Sequence, residues 1–266
     1  MQNIPLRESI VKEVLDRGHS GTIYLPKAWI GQRVVVQPLS VKEYVLGVLA
    51  PYMESVSGLF LYGSYARGEQ SDVSDIDVLV VSEKKFPVEK IGLVNVVSGS
   101  LDEINQRISM DPVGYYSIIQ EAVPIFNAPL LSELKKIEPS RKGLKEYYDL
   151  TESALRICAG LLKEGGSDQS GVIYSLVLRL RGLYMLRCRM RKEKYSSAGL
   201  EDFVDGKGID RETFEKLFAV YRAGTEDLPK PKQRIPVKAV RKLYQIVYSL
   251  FNSLKDEPQK APEKRH

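Results

Sequence analysis

Asp75 and Asp77 stand one residue apart in the run Asp75-Ile-Asp77-Val-Leu-Val-Val81, whose other members are apolar. In an extended strand successive side chains point to opposite faces, so both carboxylates share one face while Ile76 and Val78 take the other. Carboxylates held that close repel each other unless a cation lies between them. Oxygen-only donors suit Mg²⁺, which takes one or two protein carboxylates and fills its shell with water and substrate phosphates. Ten residues separate Asp75 from the pair Gly63-Ser64, which ends the apolar run Leu59-Phe-Leu-Tyr62. Glycine at such a turn lets the backbone approach a ligand closely, and exposed N–H groups there favour phosphate. The segment therefore offers a metal anchor and a phosphate cradle. The plain alternative is an acidic solvated hairpin beside a tight turn.

Gly63-Ser64, ten residues and Asp75-x-Asp77, with Ala66-Arg67-Gly68 and Ser74 between, resembles the nucleotidyltransferase superfamily of the DNA polymerase β type, in particular its minimal nucleotidyltransferase branch. The resemblance implies transfer of a nucleoside monophosphate from a triphosphate, ATP among the candidates, to a hydroxyl, with pyrophosphate released. It implies two Mg²⁺ ions, or Mn²⁺, held by Asp75 and Asp77. Gly63 and Ser64 would bind the β- and γ-phosphates. Arg67 would reach a phosphate or pair with Glu69 or Asp72, and Ser74 would orient Asp75. The acceptor stays open between a protein hydroxyl, a small molecule and a nucleic-acid end.

Members of this superfamily use a third carboxylate on a neighbouring strand. The matching strand is expected at Ile91–Val97, and its best-fitting position holds Asn95, a neutral residue that takes no proton. Asp102 and Glu103, just beyond, are substitutes, with Glu121 more remote. A slow enzyme and a nucleotide-sensing relic are both compatible with this departure. The antitoxin members modify helical toxins with an Arg-x(4–6)-His motif. The only histidines are His19 and His266, so the chain is not a fused toxin of that kind.

The 266 residues suffice for two modest domains, and 43% hydrophobic with 27% charged content is ordinary for a globular protein. No apolar run approaches the roughly 18–20 residues of a membrane span. The first residues carry no apolar signal core, so a cytoplasmic setting without membrane contact is expected. Cys158 and Cys188 lie in helical patterns and read as small buried hydrophobes. A net charge of +5 is compatible with nucleotides and other polyanions without demanding them.

The fold class expected is α+β. A mixed-sheet nucleotidyltransferase domain spans residues 43–130, an N-terminal hairpin arm 1–42, a C-terminal helical bundle 131–255 and a disordered tail 256–266. In the arm, Ile10, Val11, Val14 and Leu15 predict a helix over Glu8–Arg17. Thr22–Leu25 and Arg33–Leu39 predict strands. The string Ser20-Gly21-Thr-Ile-Tyr-Leu-Pro26-Lys27, with Gly31 and Val34-Val-Val36, resembles one arm of the AbrB-type swapped-hairpin DNA-binding family. That resemblance implies a homodimer and DNA as partner; a plain hairpin packed on the catalytic domain is the alternative. The bundle reads as helices over Leu144–Leu162, Val172–Lys192, Arg211–Arg222 and Val237–Leu254. Arg187, Arg191 and Lys194 share a face of the second. They form a solvated helix end or a patch for a triphosphate, an acidic partner or nucleic acid.

Overall fold

The computed structural model describes residues 10, 12, 14–36, 39–70, 74–165, 168–225 and 235–256. The chain divides into two compact units, residues 1–40 and 41–266.

In the first unit, β1 (Leu15–Asp16) pairs antiparallel with β2 (Gly21–Thr22). Between them Gly18 adopts φ 76°, and its N–H donates to the Asp16 carboxylate at 2.8 Å. That local side-chain bond makes Asp16 a turn residue and competes with a helical backbone. The helix expected over Glu8–Arg17 is therefore replaced at Leu15–Asp16 by a strand; most of its earlier residues lie outside the described ones. The expected strand Thr22–Leu25 shrinks to Gly21–Thr22, followed by a 3₁₀ turn at Lys27–Trp29. Residues 33–36 form no strand, and Val35 is 90% exposed. Branched side chains favour strands only where a neighbour supplies pairing and cover.

The second unit opens with α1 (Val41–Leu49), whose helix tightens into a 3₁₀ turn over Ala50–Ser55 because Pro51 removes a backbone donor. Five strands then build a mixed sheet: β3 (Val56–Tyr62), β4 (Ile76–Ser82), β5 (Lys90–Ile91), β6 (Val94–Gly99) and β7 (Val123–Phe126), ordered β5-β6-β4-β3-β7. β4 lies parallel to β6 and antiparallel to β3. The segment expected as one strand over Ile91–Val97 is a hairpin instead, because Gly92 at φ 57° turns β5 back into β6.

Alternation along β4 sends Ile76, Val78 and Val80 to one face, where they pack with α1 residues Val45 and Leu49. Leu79 and Val81 face the other side. There they meet Ile104 and Ile108 of α3 (Leu101–Met110), Tyr116 and Ile119 of α4 (Tyr115–Glu121), and Leu131 and Leu134 of α5 (Ala128–Leu134). Asp77 occupies the same row as Leu79 and Val81, so it emerges on the α4 side. Between β3 and β4 a single helical turn, α2 (Gly63–Arg67), replaces the expected loop, and Gly68 at φ 72° caps it.

The bundle comprises α6 (Arg141–Glu164), α7 (Ser170–Arg191), α8 (Ser197–Asp205), α9 (Arg211–Thr225) and α10 (Val237–Asp256). Ser140 caps the start of α6 by accepting from Gly143 N–H, and Gly165 at φ 73° ends it. α7 is buried around most of its circumference, with Leu176, Val177, Leu180 and Leu183 inaccessible, because α6, α9 and α10 all pack on it. Each such side chain contributes about 1.5–3 kcal/mol of burial. Both cysteines are buried and unpaired. α5 and α8 escape the sequence reading because each is short. The expected disordered tail, beyond Asp256, lies outside the described residues. Among those residues no helix is long and apolar enough to cross a membrane.

Candidate active site

The strand register sets the site. Asp77 on β4 lies opposite Tyr62 on β3 and opposite Asn95 on β6. Asp75 immediately precedes β4. The Asn95 side-chain amide nitrogen donates to Asp75 Oδ2 at 3.1 Å and to Asp77 Oδ1 at 3.3 Å. One donor nitrogen thus sits between two carboxylates, the place where a cation is expected from their repulsion. Lys90 of β5 reaches Asp75 Oδ2 at 3.2 Å. Burial pushes the Asp77 carboxyl above its ordinary value; Asp75 and Glu121 push the same way, against the Asn95 hydrogen bond and Arg67.

Gly63 closes the other side. Its φ is 74°, and a Cβ built there meets Asp77 Oδ2 at 2.6 Å, so both backbone sign and space demand glycine. The Gly63 N–H donates to Glu121 Oε1 at 2.9 Å. The other oxygen of Glu121 takes Arg67 Nη1 at 2.6 Å, while Arg67 Nε reaches Glu69 Oε2 at 2.8 Å. Arg67 is therefore clamped between two carboxylates, and the pairing with Glu69 is one of its two expected roles. Asp72 lies outside the described residues. Glu69 in turn accepts from Ser197 N–H and Oγ at 2.9 Å each, tying α2 to the first turn of α8. Burial, with the charges of Asp77 and Glu121 and the nearby Tyr115, raises the Tyr62 phenol, which stays protonated.

Two of the substitutes for the third carboxylate stand beyond a strand end away from the pair. Asp102 and Glu103 follow the far end of β6, where Gly99 pairs with Val81. Four residues of strand separate that end from Asn95, about 13 Å at ~3.3 Å per residue. Glu103 is engaged at the start of α3, where its carboxylate accepts from Ser100 N–H and its own N–H donates to Ser100 Oγ. Glu121, only a remote candidate for that third position, is the carboxylate that the fold brings to Gly63. No local pattern could have found it, since 58 residues separate the two. Ser64 lies in the first turn of α2, beside Gly63. No cluster of three His, Cys, Asp or Glu able to hold a metal occurs among the described residues. The Asp75–Asp77 pair nevertheless offers a hard, all-oxygen donor set that fits Mg²⁺ or Mn²⁺.

Residues 48–152 match the nucleotidyltransferase domain family. This part of the chain is a nucleotidyltransferase domain. The match holds α2, the Asp75–Asp77 pair, Asn95 and Glu121. A proposed protein adenylyltransferase of Methanocaldococcus jannaschii is 38% identical over 47 residues, which is 18% of this chain and 47% of that protein. The chain thus aligns with about half the length of this relative. A solved nucleotidyltransferase-like protein from Exiguobacterium sibiricum has 12% identity and a TM-score of 0.37, over 80% of this chain and 75% of that one.

Proposed function

We propose that the chain is a metal-dependent nucleotidyltransferase that moves a nucleoside monophosphate from a triphosphate to a hydroxyl acceptor. The observation that carries the reading is the Asp75–Asp77 pair sharing one donor nitrogen beside a glycine turn. In the reaction the acceptor oxygen attacks the α-phosphorus, the bond to the bridging α–β oxygen breaks, pyrophosphate leaves and the hydroxyl proton is released. Mg²⁺ or Mn²⁺, when bound, supplies charge neutralisation for attacking and leaving oxygens.

The chain's own residues do the rest. Asp75 and Asp77 hold the metal. Gly63 and Ser64 receive the triphosphate tail at the start of α2, which requires Glu121 to release the Gly63 N–H. Asn95 then turns its amide, so that its carbonyl rather than its nitrogen faces the pair. Asn95 takes no proton, so it would supply no base for the acceptor hydroxyl, and slow turnover is expected. The M. jannaschii relative, named as a protein adenylyltransferase, favours adenylyl transfer to a protein hydroxyl among the open acceptors.

The test is incubation with labelled ATP, GTP, CTP and UTP plus Mg²⁺ or Mn²⁺, with pyrophosphate and labelled product measured. The double change Asp75→Ala, Asp77→Ala abolishes both; label transfer that survives it would remove these residues from the mechanism.

A second reading has its own observation. Ile30, Val35 and Val36 of the first unit are 78%, 90% and 61% exposed. Such residues suit strand exchange with a second copy and a DNA-binding or regulatory role, with the nucleotidyltransferase domain sensing nucleotide. A gel shift on random duplex with a salt titration tests it: salt-sensitive retardation supports this reading, and absence of a complex counts against it.

A further inference from the structure

Arg187 and Arg191, one helical turn apart on α7, lie with Lys207 along a groove of about 470 Å³. The groove runs between the ends of α7 and α8 and the side of α10, whose Ile246 and Leu250 form an apolar floor. Aromatic rings rather than carboxylates hold Arg187 and Lys207. The Arg187 guanidinium lies 5.0 Å from the Phe203 ring and 5.6 Å from Tyr184, and the Lys207 ammonium lies 5.9 Å from Phe203. The lining carboxylate, Asp202, is taken by Arg211 at 2.6 Å. Among the described residues none of the three cations has an ion-pair partner. A ring positions a cation and leaves most of its charge available to an anion. Lys194, grouped with the two arginines by sequence, does not line the groove; Lys207 replaces it.

The groove is not the Asp75–Asp77 site. Arg189, two residues from Arg187 and from Arg191, points about 160° away from both on a helix of ~100° per residue. It pairs with Glu138 at 2.6 Å and stacks over Tyr116 of the nucleotidyltransferase domain. The groove thus opens on the opposite face of α7. Its volume falls within the roughly 300–1,000 Å³ of small-molecule sites.

The geometry points to a second, metal-independent site for a mononucleotide-sized phosphate ester. The phosphate sits among Arg187, Arg191 and Lys207, and the ring rests on Ile246 and Leu250. Planar guanidinium forks suit phosphate oxygens, and the apolar floor distinguishes such an ester from a free inorganic anion.

The test is calorimetric titration of AMP, ATP, inorganic phosphate and a single-stranded oligonucleotide in EDTA. It uses the full chain carrying Asp75→Asn and Asp77→Asn, so that metal-dependent binding at the first site is removed. AMP and ATP are expected to bind at least tenfold more tightly than inorganic phosphate. Adding Arg187→Gln with Arg191→Gln weakens them by tenfold or more, and Lys207→Gln alone, at an exposed position, weakens them severalfold. The melting temperature, unchanged from the parent, certifies the fold. Equal binding of phosphate and AMP, binding of the oligonucleotide alone, absence of binding, or affinity indifferent to all three changes overturns the proposal. These outcomes leave the reading of the Asp75–Asp77 site untouched, because that reading is tested by metal-dependent label transfer.

Discussion

Asn95 is the residue on which the chemistry of the proposed site turns. It donates to both aspartates, so it partly offsets their repulsion without any metal. Asn95→Asp replaces that donor with a third carboxylate beside Asp77, which burial has already pushed upward. Thermal melting without metal is expected to show a loss of about 1–3 kcal/mol of stability. Mg²⁺ recovers the loss, and label transfer rises above the parent. A variant equally unstable with and without Mg²⁺ would separate Asn95 from any metal role. Glu121 makes the opposite prediction. Its carboxylate holds the Gly63 N–H and adds negative charge near Asp77, so it competes with an incoming triphosphate. Glu121→Gln is expected to lower the KM for nucleotide by about tenfold with little change in kcat, the pattern of altered ground-state binding. The same change weakens the Arg67 clamp, so steady-state kinetics and melting should be measured together.

At the scale of elements, two junctions position the site. The first joins β3 to α2 at Gly63, where positive φ and the closeness of Asp77 leave no room for a Cβ. Gly63→Ala is expected to cost about 1–3 kcal/mol, read as a lower denaturant midpoint, because strained backbone and displaced Asp77 add together. The second joins α2 to α8 through Glu69, which lies between Arg67 and Ser197. Burial opposes its charge, yet hydrogen bonds from Arg67 and Ser197 outweigh burial and hold its carboxyl below the ordinary value of 4.5. A carboxyl lowered by folding stabilises the fold above its unfolded value and loses that contribution as pH falls through its folded value. Melting temperature should therefore drop below about pH 4.5, and Glu69→Gln should flatten that part of the profile. A profile unchanged by the substitution would assign the acid loss to other groups.

For the whole molecule, the division into residues 1–40 and 41–266 separates two kinds of surface. From Val41 onward the described apolar side chains largely fill the two faces of the sheet and the bundle centre around α7. In the first unit, exposed Ile30, Val35 and Val36 lack such cover within their own unit. Light scattering on the full chain is expected to report a dimer, and Val35→Ser with Val36→Ser to shift it toward monomer. A parent chain that is monomeric at high concentration removes strand exchange from consideration.

The amino-acid sequence by itself determined the Asp75–Asp77 face, the glycine-serine turn, the helix periodicities of the bundle and the positions of β3 and β4. These follow from spacing within a few residues, where strand alternation, helical repeat and turn chemistry act locally. Only tertiary structure decided that Asn95 bridges the aspartates, since its exact placement depends on the register of β6 against β4. Tertiary structure also brought Glu121 to Gly63, and Ser197 to Glu69, from far along the chain. The same holds for the arm, where β-branched residues suggested strands that none of the described residues of the unit completes. Local propensity sets what a segment can become, whereas register, burial and charge pairing depend on which distant partner packs against it.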